Sequence, residues 1–289
     1  NKEAKITFVD VLIGLMNKKN VDVYVNGSRA YYMRPDGKNA FGRTPGCVWN
    51  SVALKDDEAG NAIRVVIYPV YKSQVGIVPV FYYGEKDAIV LDVLLKQIPV
   101  IVLCVICMVL GIIFAIYEFY HHKGEKLDGS MILLGGFAVI ISLWKMTDNE
   151  VTYLLLPQIP AIYLIPYLML HLAPVPFVLF VRKLNIGLKS RSVWDIPVIS
   201  SIAGAVITIV LQLLKIFDIR QMLWVIHLEI LVAAAVTFFM LYYEIRHRGL
   251  TGKVRVHTFA LIGCTAGMLA DIVVYYLTNG VRGPSFAML

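Results

Sequence analysis

The sequence is poor in charged residues. Asp, Glu, Lys and Arg make up 16% of its 289 residues, whereas hydrophobic residues make up 58%. In a soluble domain about a quarter of the residues are charged and about half are apolar. With a mean hydropathy of +0.69, the composition excludes a water-soluble fold, a disordered chain and a disulfide-rich scaffold. It predicts an integral membrane protein.

Cysteine is scarce as well, and its placement gives no disulfide framework. Cys104, Cys107 and Cys264 lie in apolar runs, and Cys47 is alone in the N-terminal region. Cys104 and Cys107 form a C-x-x-C pair without the strand-to-helix setting or the basic neighbours that make such a pair reactive. We therefore interpret them as packing residues.

Catalytic motifs are missing from these residues. The sequence has no H-E-x-x-H, no G-x-S-x-G, no Walker loop and no dinucleotide fingerprint between a strand and a helix. We predict no catalytic residue, no metal ligand and no cofactor here. The net charge of +7 is typical of cytoplasmic loops of membrane proteins, and it does not indicate nucleic-acid binding.

Residues 1–95 have the pattern of a β-domain. Residues 21–25 alternate between apolar and polar, Asn26 and Gly27 follow, and residues 28–33 form a second run. Asn-Gly between two such runs predicts a hairpin, because a type I′ turn needs positive φ at both central positions. Other strand-like runs are 6–12, 48–54, 63–68 and 77–83. We expect a β-sandwich whose first strands precede residue 1.

Residues 96–289 have the pattern of a transmembrane domain. A span needs about 20 apolar residues, and the run at 97–117 has no charge. Further helices are predicted at 129–144, 161–181, 196–214, 221–243 and 257–277, and the run from residue 285 begins a seventh. A bundle of six helices with a short apolar tail is the alternative. Because the chain stops inside this run, we expect it to be part of a longer protein.

The basic residues predict the orientation of these helices. Loops after the first, third and fifth helices hold ten Lys and Arg residues, whereas the other loops hold four. Loops rich in Lys and Arg face the cytoplasm. We therefore expect the N-terminal domain outside the cell and the C-terminus in the cytoplasm of a multi-pass plasma membrane protein.

Five ionisable residues lie within or at the ends of the predicted helices. They are Lys145, His171, His227, Glu229 and Asp271. Ionisable groups at membrane depth are costly and are functional candidates by default. We predict an intramembrane polar network, which could respond to protons or to a ligand, or could line a small-molecule pocket. A set of interhelical contacts without a ligand is the alternative.

Two other groups of residues lead to local expectations. Three carboxylates at the predicted inner interface are expected to be solvated or paired with a loop cation: Glu118, Asp195 and Glu244. Three prolines are expected to kink the third helix, because each removes a backbone donor: Pro166, Pro174 and Pro176.

Trp49 is the aromatic residue that we single out in the β-domain. On the strand 48–54, residues 48, 52 and 54 are apolar and share one face with Asn50, whereas Trp49 falls on the other face. If exposed, Trp49 could bind a ligand by stacking on a sugar ring. If buried against the helices, it would be structural.

Several segments resemble the bacterial seven-transmembrane receptors that carry diverse intracellular signalling modules. These segments are VDVYVNGSRAYYM at 21–33, FGRTPGCVWNSVAL at 41–54, IRVVIYPVY at 63–71, VPVFYYG at 78–84, FAIYEFYHHKG at 114–124, GGFAVIISLWKMTDNE at 135–150 and YLMLHLAPVPFVLFV at 167–181. The resemblance implies an extracellular jelly-roll domain, seven helices and a cytoplasmic output domain. Together these give our predicted fold class, a membrane α-helical bundle with an N-terminal extracellular β-sandwich.

Within that group, the segments look most similar to sensor regions of GGDEF diguanylate cyclases, which make cyclic di-GMP from GTP. Such a receptor would sense a small extracellular molecule such as a carbohydrate, or an envelope protein. It would work as a homodimer and control its own cytoplasmic domain beyond residue 289. Histidine kinases carry similar sensor regions and are an alternative. A transporter or channel is another, although no repeat relates helices one to three and four to six.

Overall fold

The computed structural model describes residues 9–17, 19–33, 47–54, 62–69, 81–121, 129–156, 160–184, 191–249 and 252–277. By its contacts the chain divides into two compact units. The first unit comprises Asn1–Ile106, Leu143–Pro166 and Gln212–Asp218, and the second comprises Cys107–Ser142, Tyr167–Leu211 and Ile219–Leu289. The predicted seventh helix from residue 285 lies outside the described residues.

Among the described residues of the first unit, six short strands form two antiparallel sheets. The strands are β1 (Val9–Asn17), β2 (Lys19–Val25), β3 (Ser28–Met33), β4 (Cys47–Leu54), β5 (Ile63–Pro69) and β6 (Phe81–Gly84). One sheet has the order β4-β1-β6 and the other has the order β3-β2-β5. Each of the six predicted strand-like runs overlaps one of these strands.

The turn between β2 and β3 is the predicted Asn-Gly hairpin. Asn26 and Gly27 have φ angles of 51° and 83°, and Val25 pairs with Ser28 across the turn. Positive φ at both central positions is what a type I′ turn requires, and this turn matches the natural twist of the two strands. The hairpin prediction is therefore confirmed.

A small apolar core lies between the two sheets. Val21, Val23 and Val25 of β2 are buried together with Val52 of β4. Tyr31 packs against this cluster, and its hydroxyl donates a hydrogen bond of 2.8 Å to Oδ1 of Asn50. Burial raises the pKa of the Tyr31 hydroxyl. The alternating valines of β2 thus form one buried apolar face.

In the described part of the chain, eight α-helices follow the strands. They are α1 (Lys86–His121), α2 (Ser130–Thr147), α3 (Glu150–Leu155), α4 (Pro160–Leu172), α5 (Pro174–Leu184), α6 (Arg191–Leu213), α7 (Leu223–Arg248) and α8 (Gly252–Leu277). Five helical segments are long and apolar enough to cross a membrane: Lys86–His121, Ser130–Thr147, Ile162–Leu184, Ser192–Leu213 and Ile219–His247. The apolar part of α8, Leu261–Leu277, is shorter. The chain is a multi-pass membrane protein with small N-terminal sheets.

Helix α1 begins at Lys86, which is 11 residues before the predicted first span and two residues after the end of β6. Its 36 residues extend over about 54 Å, whereas the hydrocarbon core of a bilayer is about 30 Å thick. The added turns contain four charged residues among seven apolar ones, and Lys96 donates to Asp92 over 2.6 Å one turn away. The predicted domain 1–95 therefore includes the first turns of α1, because a span predicted from a charge-free run stops at the first charged residue.

The predicted third span, 161–181, consists of two helices. Helix α4 ends at Leu172 and α5 begins at Pro174. The backbone N–H of Ala173 still donates to Met169 O over 2.8 Å, but Pro174 has no N–H to continue the ladder. The break therefore falls at Pro174, whereas Pro166 lies inside α4 and Pro176 lies in the first turn of α5.

Helices α1 and α2 touch through two glycines of the second unit. A Cβ added to Gly111 would lie 2.6 Å from the backbone oxygen of Gly135, and a Cβ on Gly135 would collide with the backbone oxygen of Gly111. Small residues allow helix backbones to approach this closely in membranes. No other residue type fits at either position without moving a helix.

Candidate functional site

A buried hydrogen bond between two ionisable side chains joins two helices of the second unit. Nδ1 of His171 on α4 lies 2.7 Å from Oε2 of Glu229 on α7. Both side chains are buried, with exposures of 0% and 6%. The sequence singles out both residues, but it does not predict that they pair, because it does not define how each helix is rotated.

Gly204 provides the space for the Glu229 carboxylate. A Cβ added at this position on α6 would overlap Oε1 of Glu229 and would lie 2.8 Å from its Cδ. The carboxylate therefore packs directly against the backbone of α6. Gly204 is a residue that sequence reasoning misses, since its role becomes visible only once Glu229 is placed against it.

The pair leaves two polar atoms open. Among the described residues, neither Nε2 of His171 nor Oε1 of Glu229 has a hydrogen-bond partner, and both atoms are buried. The hydrogen bond between Nδ1 and Oε2 uses one polar atom of each side chain, so Nε2 and Oε1 are the atoms with which the pair could bind a further small polar group. Buried polar atoms without partners are costly and mark candidates for function.

The other predicted network members are placed differently. His227 on α7 shares a hydrogen bond of 2.9 Å with the hydroxyl of Tyr276. Its ring also lies edge-on to Tyr275, and Asp271 is half-buried on α8. Lys145 belongs to the first compact unit, where its ammonium lies 5.6 Å from the centre of the Trp144 ring. Residues two apart on a helix point in different directions, which explains why His227 and Glu229 have different partners.

The carboxylates predicted at the inner interface differ in their surroundings. Asp195 accepts a hydrogen bond of 2.8 Å from Arg182, which confirms the expected pairing with a cation. Glu118 is buried instead of solvated, and it accepts a hydrogen bond of 2.6 Å from the backbone N–H of Gly129. Glu244 is also buried.

Trp49 forms a buried junction in the first unit. The side chain is 9% exposed, and its indole N–H donates a hydrogen bond of 3.1 Å to the backbone oxygen of Glu150 at the start of α3. Its ring centre lies 5.9 Å from that of Tyr82 on β6. Of the two roles considered for Trp49, the structural one fits this burial, because the ring is covered by protein.

Asn149 extends the same junction to α1. Its Oδ1 accepts from the backbone N–H of Val151 over 2.9 Å and caps the N-terminus of α3. Its Nδ2 donates to Oε1 of Gln97 over 3.0 Å. Hydrogen bonds thus connect β4 to α3 and α3 to α1. Sequence reasoning misses Asn149 and Gln97, although an Asn directly before a helix is a recognisable capping pattern.

No protein-family model, curated protein or solved structure matches the chain. Within the described ranges, no group of three or more His, Cys, Asp or Glu side chains is placed to hold a metal ion. The features of the described residues that bear most directly on function are the Trp49 junction and the buried His171–Glu229 pair.

Proposed function

We propose that this chain is the sensor and membrane region of a signalling receptor of the seven-transmembrane type. The N-terminal sheets face the outside of a bacterial plasma membrane and sense a small molecule or an envelope protein. The helices pass the change to a cytoplasmic output domain beyond residue 289, for which a diguanylate cyclase is the expected identity. The observation that carries the proposal is the hydrogen bond from Trp49 to Glu150.

This hydrogen bond supports the proposal because it joins the β-domain to a segment between apolar helices. Helix α3 lies between α2 and α4 in the chain, and β4 packs against it. A ligand that favours one position of β4 would shift α3, since the buried indole and its acceptor move together. Any ligand-driven change requires such a differential contact between two states.

The orientation and the assembly belong to the same proposal. Ten basic residues in one set of loops and four in the other support an outside β-domain and a cytoplasmic C-terminus. Diguanylate cyclases join two GTP molecules across a dimer, so the proposed receptor is a homodimer in the lipid bilayer, with no nucleic-acid partner.

The first test is the coding sequence after Leu289 together with the activity of the full-length protein in membranes. A G-G-[DE]-E-F motif and formation of cyclic di-GMP from GTP would support the diguanylate cyclase. Phosphorylation of a histidine by ATP would instead support a histidine kinase with the same sensor arrangement.

The second test is a matched pair of tryptophan variants. Trp49→Phe removes the indole N–H, and it is expected to weaken or abolish the response of the output domain while the basal activity remains. Trp224→Phe is the control, since Trp224 is 60% exposed on α7. Equal responses from both variants and the wild type would overturn the role of the Trp49 junction.

A proton-coupled transporter or channel is a second candidate function. Transporters place binding sites near the bilayer midplane, at interrupted helices. Here the helix break at Pro174 follows His171 by three residues, and His171 pairs with Glu229 inside the bundle. Steady solute or proton flux through proteoliposomes of the purified protein, lost in Glu229→Gln, would favour this function and overturn the receptor.

A further inference from the structure

The face of the β3-β2-β5 sheet opposite the valine core is covered by tyrosine and arginine. In the strand register, Asn20, Asp22 and Tyr24 of β2 pair with Tyr68, Val66 and Arg64 of β5. Asp22 and Tyr24 also pair with Tyr32 and Arg29 of β3. Because successive residues point to opposite sides of a sheet, the tyrosine and arginine side chains of these pairs share one face with Asp22 and Val66. We name Tyr24, Arg29, Tyr32, Arg64 and Tyr68 the tyrosine–arginine face.

A β-bulge places Arg29 on this face. Tyr31 pairs with Val23 and Arg29 pairs with Tyr24, so Ala30 is an additional residue of β3. Without the bulge, simple alternation would place Arg29 on the same side as Tyr31, which packs on the core. Bulges re-aim side chains in this way, and the Arg29 guanidinium lies 4.8 Å from the centre of the Tyr32 ring.

A second arginine–tyrosine pair repeats the arrangement on the neighbouring strands. The Arg64 guanidinium of β5 lies 5.8 Å from the centre of the Tyr24 ring of β2. Arg64 and Arg29 are both exposed, and Asp22 between the outer strands is buried. The two exposed arginines outnumber Asp22, the buried acidic residue of the same face, and this excess of cations favours an anionic partner.

The tyrosines of this face are more exposed than packing requires. Tyr32 is 61% exposed and Tyr68 is 43% exposed, although the opposite face already provides the apolar core. Tyrosine supplies a large, rigid ring with a polar hydroxyl, which is why it is enriched at binding surfaces. The cation–π contacts hold each arginine beside a tyrosine ring, and a guanidinium group has several N–H donors with which it can also bind a ligand.

We propose that the tyrosine–arginine face binds an acidic saccharide. Tyrosine rings can stack on the apolar faces of pyranose rings, and guanidinium groups bind carboxylates through two parallel hydrogen bonds. Arg29 on β3 and Arg64 on β5 lie on either side of Tyr24 on β2. Sugars linked in a chain would therefore lie across β3, β2 and β5. The inference rests on the proposed function, since it names the ligand class that the sensing domain would take.

The binding test uses the full chain in nanodiscs of neutral lipid and isothermal titration. The probes are short oligomers of galacturonate, guluronate and glucuronate, with maltotriose as the neutral control of similar length. We expect an acidic oligomer to bind and maltotriose to bind at least about ten-fold more weakly, because charge-assisted hydrogen bonds provide most of the affinity.

Single substitutions test whether the saccharide binds at the tyrosine–arginine face. Arg29→Gln, Arg64→Gln and Tyr32→Ala are each expected to weaken binding about ten-fold, since each removes one contact. Tyr83→Ala is the control, because Tyr83 is 71% exposed on the other sheet. Arg64→Lys keeps the charge but not the paired hydrogen bonds, so an intermediate loss is expected. Thermal melting of each variant shows whether the domain still folds.

The outcomes separate this inference from the proposed function. Absence of binding by every acidic oligomer, equal binding of maltotriose, or an equal loss in Tyr83→Ala would overturn the saccharide site. Binding only to anionic lipid vesicles, lost in the arginine variants, would also overturn it and would indicate a lipid headgroup. Saccharide binding without any change in output would leave the site standing and would overturn the receptor function.

Discussion

Nδ1 of His171 and Oε2 of Glu229 lie 2.7 Å apart, although 58 positions separate the two residues in the chain. The pair holds α4 to α7 at a depth where neither group can reach water. Truncating one partner of such a pair leaves the other buried and uncompensated. The pair is therefore a sensitive point for perturbing the second unit.

Replacing both partners should be less harmful than replacing one. His171→Leu alone is expected to lower the free energy of unfolding by about 3–5 kcal/mol, because it leaves the buried Glu229 carboxyl group without its partner. The double variant His171→Leu with Glu229→Met should recover most of that loss, since it exchanges the pair for apolar side chains. Unfolding in mild detergent, followed in all four members of the cycle, measures the coupling; strictly additive losses would contradict it.

Isosteric removal of charge tests whether the polar residues signal. Glu229→Gln and Asp271→Asn keep the side-chain size but remove a carboxylate, so the bundle is expected to remain folded while the output of the full-length protein changes. Output is measured between pH 5 and 8, with the melting temperature as the control for folding. Wild-type output from both variants across this range would reduce these residues to interhelical contacts.

Gly204 should tolerate no larger residue. Gly204→Ala would drive a methyl group into the Glu229 carboxylate, and such overpacking costs about 1–3 kcal/mol. Gly263→Ala is the matched control, because a Cβ at that helical glycine meets nothing within 4 Å. The control should gain up to about 1 kcal/mol from the better helix former. Equal melting temperatures for the two variants would contradict the close approach of Glu229.

Gly135 and its chain neighbour Gly136 form another matched pair. Gly135→Ala would push against the backbone of α1 at Gly111, whereas a Cβ on Gly136 would lie 3.9 Å from Cβ of Pro176, an ordinary contact. We expect Gly135→Ala to lower the melting temperature and Gly136→Ala to leave it within a few degrees. A larger loss in Gly136→Ala would be evidence against the glycine contact.

Alkaline pH should destabilise the β-domain through Tyr31. Burial raises the pKa of Tyr31 in the folded protein above its ordinary value of 10.0, so folding favours the neutral hydroxyl. The associated stability is complete below pH 10 and is lost as the pH rises through the folded pKa. Tyr31→Phe should therefore lose less stability than wild type above pH 10, as measured by denaturant midpoints. Tyr83→Phe, at an exposed tyrosine, should behave like wild type.

Local patterns in the sequence predict the local structure well. The Asn-Gly turn and the alternation on β2 reflect interactions between residues close in the chain, and both are present in the structure. Apolar runs likewise indicate membrane helices, because lipid imposes a length on them. The break in the third span follows from Pro174, but which of three prolines breaks the helix depends on surrounding packing.

Long-range relationships could not be predicted in the same way. The partner of His171 depends on the orientation of α4 and α7 about their own axes. The partner of Trp49 depends on which element covers β4. Neither relationship is encoded within one segment of the sequence. Trp49 lies on the face of β4 opposite the apolar residues, yet α3 covers it. The bulge at Ala30 similarly breaks the alternation that a sequence pattern assumes, so the position of Arg29 is visible only in the register.

The contact between Gly111 and Gly135 has a consequence for motion. Because the two backbones touch, neither lipid tails nor water can enter between α1 and α2 at that level, and no rotamer change can absorb a displacement there. The two helices should therefore tilt and translate as one rigid body. A rearrangement within the second unit would then involve the helices that follow. Those helices contain the break at Pro174 and the buried His171–Glu229 pair, and both are places where the packing could change.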